Sequence, residues 1–258
     1  MKSVYSVGGV SGRLRYADAE EKVEARFPEG LEFVGLAAVD EPAAADADGV
    51  LARSLVKPIA SPPLRELARG RGSAALIVSD ATRGVCTARA LPHVVKELFR
   101  AGLALENLFL IVGIGVHRAA TGEEIRSLSG EYAGRLRAVE HRPRDPESLK
   151  QVGLTSRGNR ILVNREVAEA GLRLSIGKVE THEFAGYSGG RKSILPGVAG
   201  EESILFNHRP EMIADSAAVP GRLADNPVHA DMLEAARLAR LDFCLNIVQN
   251  AAGEPLAA

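Results

Sequence analysis

An α/β fold with a doubly wound, largely parallel sheet flanked by helices is what this 258-residue sequence predicts. Three observations carry that expectation. From residue 73 onward, short apolar runs alternate with stretches of helical spacing, the pattern of helices connecting parallel strands. The strongest runs, residues 74–78 (AALIV) and 108–112 (LFLIV), are apolar throughout, as strands covered on both faces must be. Three of the runs also end abruptly in polar, reactive side chains, at the strand ends where open α/β sheets bind ligands.

Taken in order, residues 1–70 read as a poorly periodic lead-in and residues 71–258 as the α/β core. Within the lead-in, residues 42–49 (PAAADADG) are loop-like, and residues 50–55 form a helix. Pro62 and Pro63 open a second short helix through Leu67, since proline suits a first turn. Strand 74–78 comes next, and then residues 90–101 (ALPHVVKELFRA) at helical spacing, ending at Gly102 as a C-terminal stop. Strand 108–112 precedes Thr121-Gly-Glu-Glu124, a capping box that opens a helix toward Leu128. Residues 137–140 read as a short strand. Residues 161–163, 166–170 and 172–176 read as strand, helix and strand. Residues 231–239 (DMLEAARLA) form a strong helix, and 243–248 a last strand with no helix after it to cover it. The whole is Rossmann-like, and it ends early relative to a complete fold of that kind.

Composition narrows the function. The chain is 46% hydrophobic and 25% charged with a net charge of −1, which describes a globular protein with a real core. Near-neutral charge and the absence of Trp give no footing for a nucleic-acid or membrane-surface partner. The N-terminus shows no signal peptide, and no run approaches the ~20 apolar residues of a membrane span. Cys86 and Cys244 stand far apart and match no metal spacing, so a reduced, cytoplasmic setting is expected.

The polar strand ends are Ser79-Asp80-Ala-Thr82-Arg83, Gly113-Ile-Gly115-Val-His117-Arg118 and Gly177-Lys178-Val-Glu180-Thr181-His182. In a parallel sheet all three reach one rim. Each element has a plainer reading as well. Asp80 fits a helix cap, Arg83 a surface arginine, His117 a structural histidine and Lys192 a solvated lysine. His93 and His141 are assigned to no chemistry, and His229 to capping or packing near a helix start. It is the joint pattern that favours a site. The richest segment, residues 180–208, holds two histidines, a lysine beside an arginine and five glycines between Gly186 and Gly200. Within it Gly186-Tyr-Ser188-Gly189-Gly190-Arg191-Lys192-Ser193 is a near miss of the P-loop. Arg191 stands where the second glycine should be, so phosphate binding survives and triphosphate hydrolysis does not.

The assembled motifs resemble the nickel-pincer lactate racemase family. They are Asp80-Ala-Thr-Arg83, Gly115-Val-His-Arg118, the block from His182 to Gly197, and Asn207-His208, with Asn164-Arg165 and Asn226-Pro-Val-His229 flanking them. The similarity runs over about residues 30–250. The resemblance implies that Lys192 carries a pyridinium-3,5-bisthiocarboxylic acid mononucleotide through a thioamide, with nickel held by that nucleotide and by His208. It implies that His117 and His182 are acid and base on opposite faces of a 2-hydroxy acid, and that Arg83 lies by the substrate anion. Asp80, Thr82, Ser188, Gly189, Gly190 and Arg191 would seat the cofactor, which maturation enzymes supply. Residue chemistry is consistent with these roles: imidazole suits nickel, and a desolvated lysine is a plausible nucleophile. Histidine titrates near neutrality, and an arginine fork matches a carboxylate.

Two departures are visible. Thr181 replaces a common proline, and the family's second α/β domain is absent here. That domain closes over the substrate, so the sequence reads as a truncated piece, a naturally short form or one half of a split protein. Two other readings stay open at this point. One is a non-catalytic phosphate- or nucleotide-binding module; the other is a zinc hydrolase built on His117, His182 and His208.

Overall fold

The computed structural model describes residues 41–258 and, within residues 1–40, the backbone of four short strands. These are β1 (Ser3–Tyr5), β2 (Ser11–Arg15), β3 (Lys22–Arg26) and β4 (Phe33–Gly35); β1 pairs antiparallel with β4, and β2 with β3. Most of the expected lead-in up to residue 40 lies outside the described residues. The chain divides into two compact units, Met1–Asp40 and Glu41–Ala258.

The second unit follows from local chemistry at nearly every step. Asp46 starts α1 (Ala47–Val56) by accepting the Gly49 N–H at 2.9 Å, satisfying a donor the helix leaves free. Pro63 precedes α2 (Leu64–Ala68), and β5 (Ala74–Ser79) follows. In α3 (Thr87–Arg100) the residues Leu91, Val94, Val95 and Leu98 form one fully buried stripe, each contributing about 1.5–3 kcal/mol by burial. Gly102, with φ +98°, turns the chain out of that helix toward β6 (Leu108–Gly113). The capping box forms at α4 (Gly122–Ser129): Thr121 Oγ1 accepts from the Glu124 N–H and the Glu124 carboxylate accepts from the Thr121 N–H. Then come β7 (Arg137–Val139), β8 (Leu149–Leu154), β9 (Arg160–Asn164), α5 (Arg165–Glu169) and β10 (Leu172–Lys178). The hairpin β11 (Thr181–His182) and β12 (Gly186–Tyr187) leads to α6 (Glu201–Asn207) and α7 (Pro210–Ile213). The unit closes with α8 (Pro227–Leu238), β13 (Phe243–Gln249) and β14 (Pro255–Ala257).

The main sheet has the order β14-β13-β10-β5-β6-β7. Every pair is parallel except β13–β14. Alternate side chains of the central strands enter opposite layers. Leu76, Val78, Leu110 and Val112 pack on the side of α1–α4. Ala75, Ile77, Phe109 and Ile111 pack on the side of β9, α5, α6 and α8. With both faces covered, the central strands can be apolar throughout, as they are. The fold is therefore the α/β, Rossmann-like architecture expected.

Two expectations need correction. Residues 161–163 do form a strand, but β9 pairs antiparallel with β8 outside the main sheet. Its alternate burial, with Ile161 and Val163 covered and Arg160 exposed, suits a strand with one face on the core. Residues 243–248 are also not the last strand. The chain turns back at residues 250–253, and β14 covers that edge of the sheet, removing a row of unpaired backbone groups.

Candidate functional site

From β5 the chain passes to β6 and β7 on one side, then returns to place β10 and β13 on the other. The strand order reverses between β5 and β10, and the crevice at such a reversal is where this architecture binds ligands. A cleft of about 560 Å³ opens at that point. Asp80, Arg83, His117, His182, Ser188, Gly189, Lys192 and His208 all line it. The shared rim expected from the sequence exists, with Val78 beside Ile176 and Ser79 beside Gly113 in register.

Asp80 combines its two readings. One carboxylate oxygen accepts the Thr82 N–H at 2.9 Å and the Thr82 hydroxyl, capping the turn Ala81–Arg83. The other faces Arg83 Nε at 3.7 Å and His117 Nδ1 at 3.5 Å. A carboxylate at Nδ1 favours the proton there and leaves Nε2 as the lone-pair nitrogen.

His182 has the opposite polarity. The Ala185 N–H donates to its Nδ1 at 3.3 Å, and Nε2 stands 3.1 Å from Lys192 Nζ. In the neutral ring the proton then sits on Nε2 and points at the lysine. Burial, followed by the charges of Lys192, Arg83, His208 and Arg191, brings His182 down to about 4. Burial and then the charges of Arg191 and Arg83 bring Lys192 from 10.5 to about 7. An amine enclosed beside two guanidiniums is disfavoured as a cation, for the same reason that makes it nucleophilic.

His208, at the C-terminus of α6, donates from Nδ1 to the Ile204 carbonyl at 3.0 Å. This tautomer leaves Nε2 bare, the form in which imidazole ligates a metal. Burial lowers its pKa. Phe184 sits edge-on to both His182 (4.7 Å) and His208 (5.2 Å) and fixes the two rings against one apolar face.

The glycine loop is not a P-loop. Gly186 and Tyr187 belong to β12, and Gly190–Ser193 is a single 3-10 turn. Gly189 has φ +76°, and a Cβ there would meet Asn246 Oδ1 at 2.8 Å. That oxygen accepts the Gly190 N–H at 2.9 Å, so the backbone is held close to β13 and only glycine fits. The Ser188 hydroxyl donates to Lys178 O at 2.7 Å and accepts the Glu180 N–H at 2.9 Å. Three expected cofactor contacts stand back from the cleft lining: Thr82, Gly190 and Arg191. The Arg191 guanidinium instead donates to Ala185 O (2.7 Å) and Tyr187 O (3.0 Å), bracing the hairpin that carries His182.

Sequence reasoning assigned no role to Phe184 or Asn246. Asn246 had a signal: it is the polar residue inside the strand run FCLNIV, opposite Gly177 at the rim. His93 faces Asp48 at 3.2 Å, His141 is buried against Ala199 O at 3.0 Å, and the His229 N–H is capped by Asn226. Among the described residues no group of three or more His, Cys, Asp or Glu is placed to hold a metal ion. Nor, among those residues, is any helix long and apolar enough to cross a membrane.

Fold and cleft together define a Rossmann-like domain with an amine-centred, histidine-walled pocket at its topological switch point. Residues 19–221 match the family model of the lactate racemase N-terminal domain, and the chain belongs to that family. It is 37% identical over 202 residues to a lactate racemase of Thermoanaerobacterium thermosaccharolyticum, covering 78% of this chain and 47% of the relative. It is 39% identical over 197 residues to one of Lactiplantibacillus plantarum, covering 76% and 46%. The chain thus spans about half the length of the curated relatives it matches. The structure of the lactate racemase apoprotein from T. thermosaccharolyticum superposes with a TM-score of 0.81 at 29% identity, covering 96% of this chain and 58% of that one. A crystal structure of a Thermotoga maritima protein shares the fold, with a TM-score of 0.60 at 20% identity over 85% of this chain and 55% of that one.

Proposed function

We propose that this domain is the cofactor-bearing half of a nickel-dependent 2-hydroxy-acid racemase acting on lactate or a close analogue. The observation that carries the reading is the enclosed Lys192 amine in the cleft, its Nζ 3.1 Å from His182 Nε2, with His208 lining the same space.

The residues fit a nickel-pincer nucleotide. Lys192 supplies an amine for a thioamide link and His208 Nε2 a nitrogen ligand, with Ser188 and Gly189 lining the space beside them. Since the described residues gather no metal cage of their own, sulfur donors from the nucleotide would complete the coordination. Bound there, the group supplies a reversible acceptor for the hydride on the substrate's C2. The chain's own residues do the remainder. Arg83 holds the carboxylate common to all such substrates. His117, its tautomer set by Asp80, takes the hydroxyl proton at Nε2 as the alcohol becomes a planar 2-keto acid. His182, freed once the lysine is acylated, serves the other face: protonated from solvent, it gives a proton to the keto oxygen as that face is reduced, while His117 passes the proton it took to solvent.

Production alongside the cofactor-making enzymes, followed by intact mass and nickel analysis, tests this. Wild type is expected to gain an adduct and about one nickel, and Lys192→Ala neither; wild type lacking both would sink the reading. A second reading is a nucleotide-binding module without turnover, for which the glycine backbone at Gly189 in the cleft lining speaks. Calorimetric binding of a pyridine mononucleotide without any change in lactate chirality is its signature, and racemisation by this chain alone rules it out. A separate closing domain or partner chain would supply the remaining substrate contacts.

A further inference from the structure

The contact between His182 and Lys192 has a direction. Of the two ring nitrogens, Nδ1 already accepts the Ala185 N–H. A neutral imidazole has one accepting nitrogen, so Nε2 must donate, and its partner at 3.1 Å is Lys192 Nζ. An ammonium has three N–H bonds and no lone pair to receive that proton. The contact is satisfied only by the uncharged amine.

We propose that His182, locked by the Ala185 backbone N–H as an Nε2–H donor, holds Lys192 as a free amine and makes it a self-acylating nucleophile before any cofactor is attached. The inference deepens the reading of Lys192 as a covalent anchor and gives His182 an earlier, separate task as a positioning residue. The hairpin serves that task. Gly186 has φ +78°, and a Cβ there would meet Arg222 O at 2.2 Å, so this close turn needs glycine. Arg191 braces the hairpin through Ala185 O and Tyr187 O, fixing the residue whose N–H sets the tautomer.

The charges around the amine act in the same sense. Arg191 and Arg83 both oppose an ammonium at this position. On the acidic side of the cleft, Asp80 is directed at Arg83 and His117, and Glu180 is paired with Lys178 at 2.8 Å. Glu183 also lines the cleft. With an activated acyl donor such as an aryl ester, the Nζ lone pair attacks the acyl carbon and a C–N bond forms. The aryl C–O bond breaks, its electron pair leaves on the phenolate, and the surplus amine proton passes to solvent. Once the nitrogen is an amide its lone pair is delocalised, the acceptor is gone, and the His182 Nε2–H is released to the cleft.

The test uses the chain alone, without nickel, labelled by 4-nitrophenyl acetate and mapped by peptide mass. Labelling of Lys192 is expected to rise with a midpoint near pH 7 and then level off. His182→Phe is expected to raise the Lys192 midpoint by about half a unit to one unit, the worth of one hydrogen bond; His182→Gln, which keeps an N–H donor, restores part of it. A midpoint that stays or falls in His182→Phe overturns the proposal, because an accepting Nε2 or mere bulk gives those signs. Two-bond proton–nitrogen NMR of wild type needs no variant: His182 must show a protonated Nε2 and a bare Nδ1 at pH 7.5, and the reverse tautomer also overturns it. If the tautomer and midpoints behave as stated but no nucleotide is ever attached, the covalent-anchor reading falls and this one stands.

Discussion

At Lys192 the fold takes an amine that is solvated as a cation in the unfolded chain and encloses it beside Arg191 and Arg83, bringing it to about 7. The folded state therefore binds fewer protons at this position than the unfolded one between pH 10.5 and 7. Stability gains with rising pH across that window, and the penalty is fully present below it. Lys192→Met keeps the length and removes the ionisable group. It is expected to stabilise the chain at pH 7 by about 3 kcal/mol, after discounting for the solvent that reaches the cleft. The gain should shrink toward zero near pH 10.5. Urea unfolding at pH 7 and pH 9.5 reads this directly, and a variant no more stable than wild type at pH 7 contradicts it. A lysine that destabilises its own fold is better explained by chemistry than by packing, which links the pKa shift to function.

At the scale of elements, Asp231 of α8 ties the helix bearing His208 to the rest of the layer. It is fully buried and accepts from Thr155 Oγ1 at 2.7 Å, Asn159 Nδ2 at 2.8 Å and Asn207 Nδ2 at 2.9 Å. Asn207 is the last residue of α6, directly before His208. Asp231→Ala would strand three buried donors at once, and the expected loss is about 3 kcal/mol or more. Asp231→Asn, which keeps one accepting oxygen, should lose less; equal stability of wild type and Asp231→Ala in urea would refute the hub. The same elements show how far the sequence could be read. β5, β6 and β10 were legible because strands covered on both faces are apolar throughout, and the capping box at Thr121 was legible because its partners lie three residues apart. β9 was legible as a strand, but its apolar run could not say that it pairs with β8 and not with the main sheet. The hairpin β11–β12 was illegible, since it is two residues a side and polar and stands on a glycine turn and Arg191. The hub at Asp231 was illegible too, because its partners come from two segments distant from it in sequence, the β8–β9 turn and the end of α6.

For the whole molecule, the cleft residues were found in sequence because a parallel sheet brings the ends of β5, β6 and β10 to one rim, whatever the loops do afterwards. How the side chains pair there was not readable: Asp80 with His117, His182 with Lys192, and Phe184 against His182 and His208 depend on loop geometry set by contacts distant in sequence. One consequence concerns acid stability. Burial holds His141 at about 4, with its Nε2–H donated to Ala199 O, and His182 is likewise at about 4. Both are neutral in the folded state at pH values where the unfolded chain would protonate them. As pH falls from 6.5 to 4 the unfolded chain gains these protons first, so stability is lost across that window. His141, almost fully enclosed, accounts for about 3 kcal/mol of the loss, and the more open His182 for less. The carboxylates held low by their partners act elsewhere. Asp48, bonded to Arg89 and His93, and Glu124, bonded to Arg118, both sit at about 2, so their contributions are lost only as pH falls from about 4 toward 2. Acid unfolding should therefore begin with the histidines. His141→Gln, which keeps a donor for Ala199 O, is expected to flatten the fall in thermal midpoint between pH 6.5 and 4.5 while leaving the midpoint at pH 7.5 within a few degrees of wild type. A variant whose midpoint falls as steeply as wild type across that interval would place the acid sensitivity in other groups.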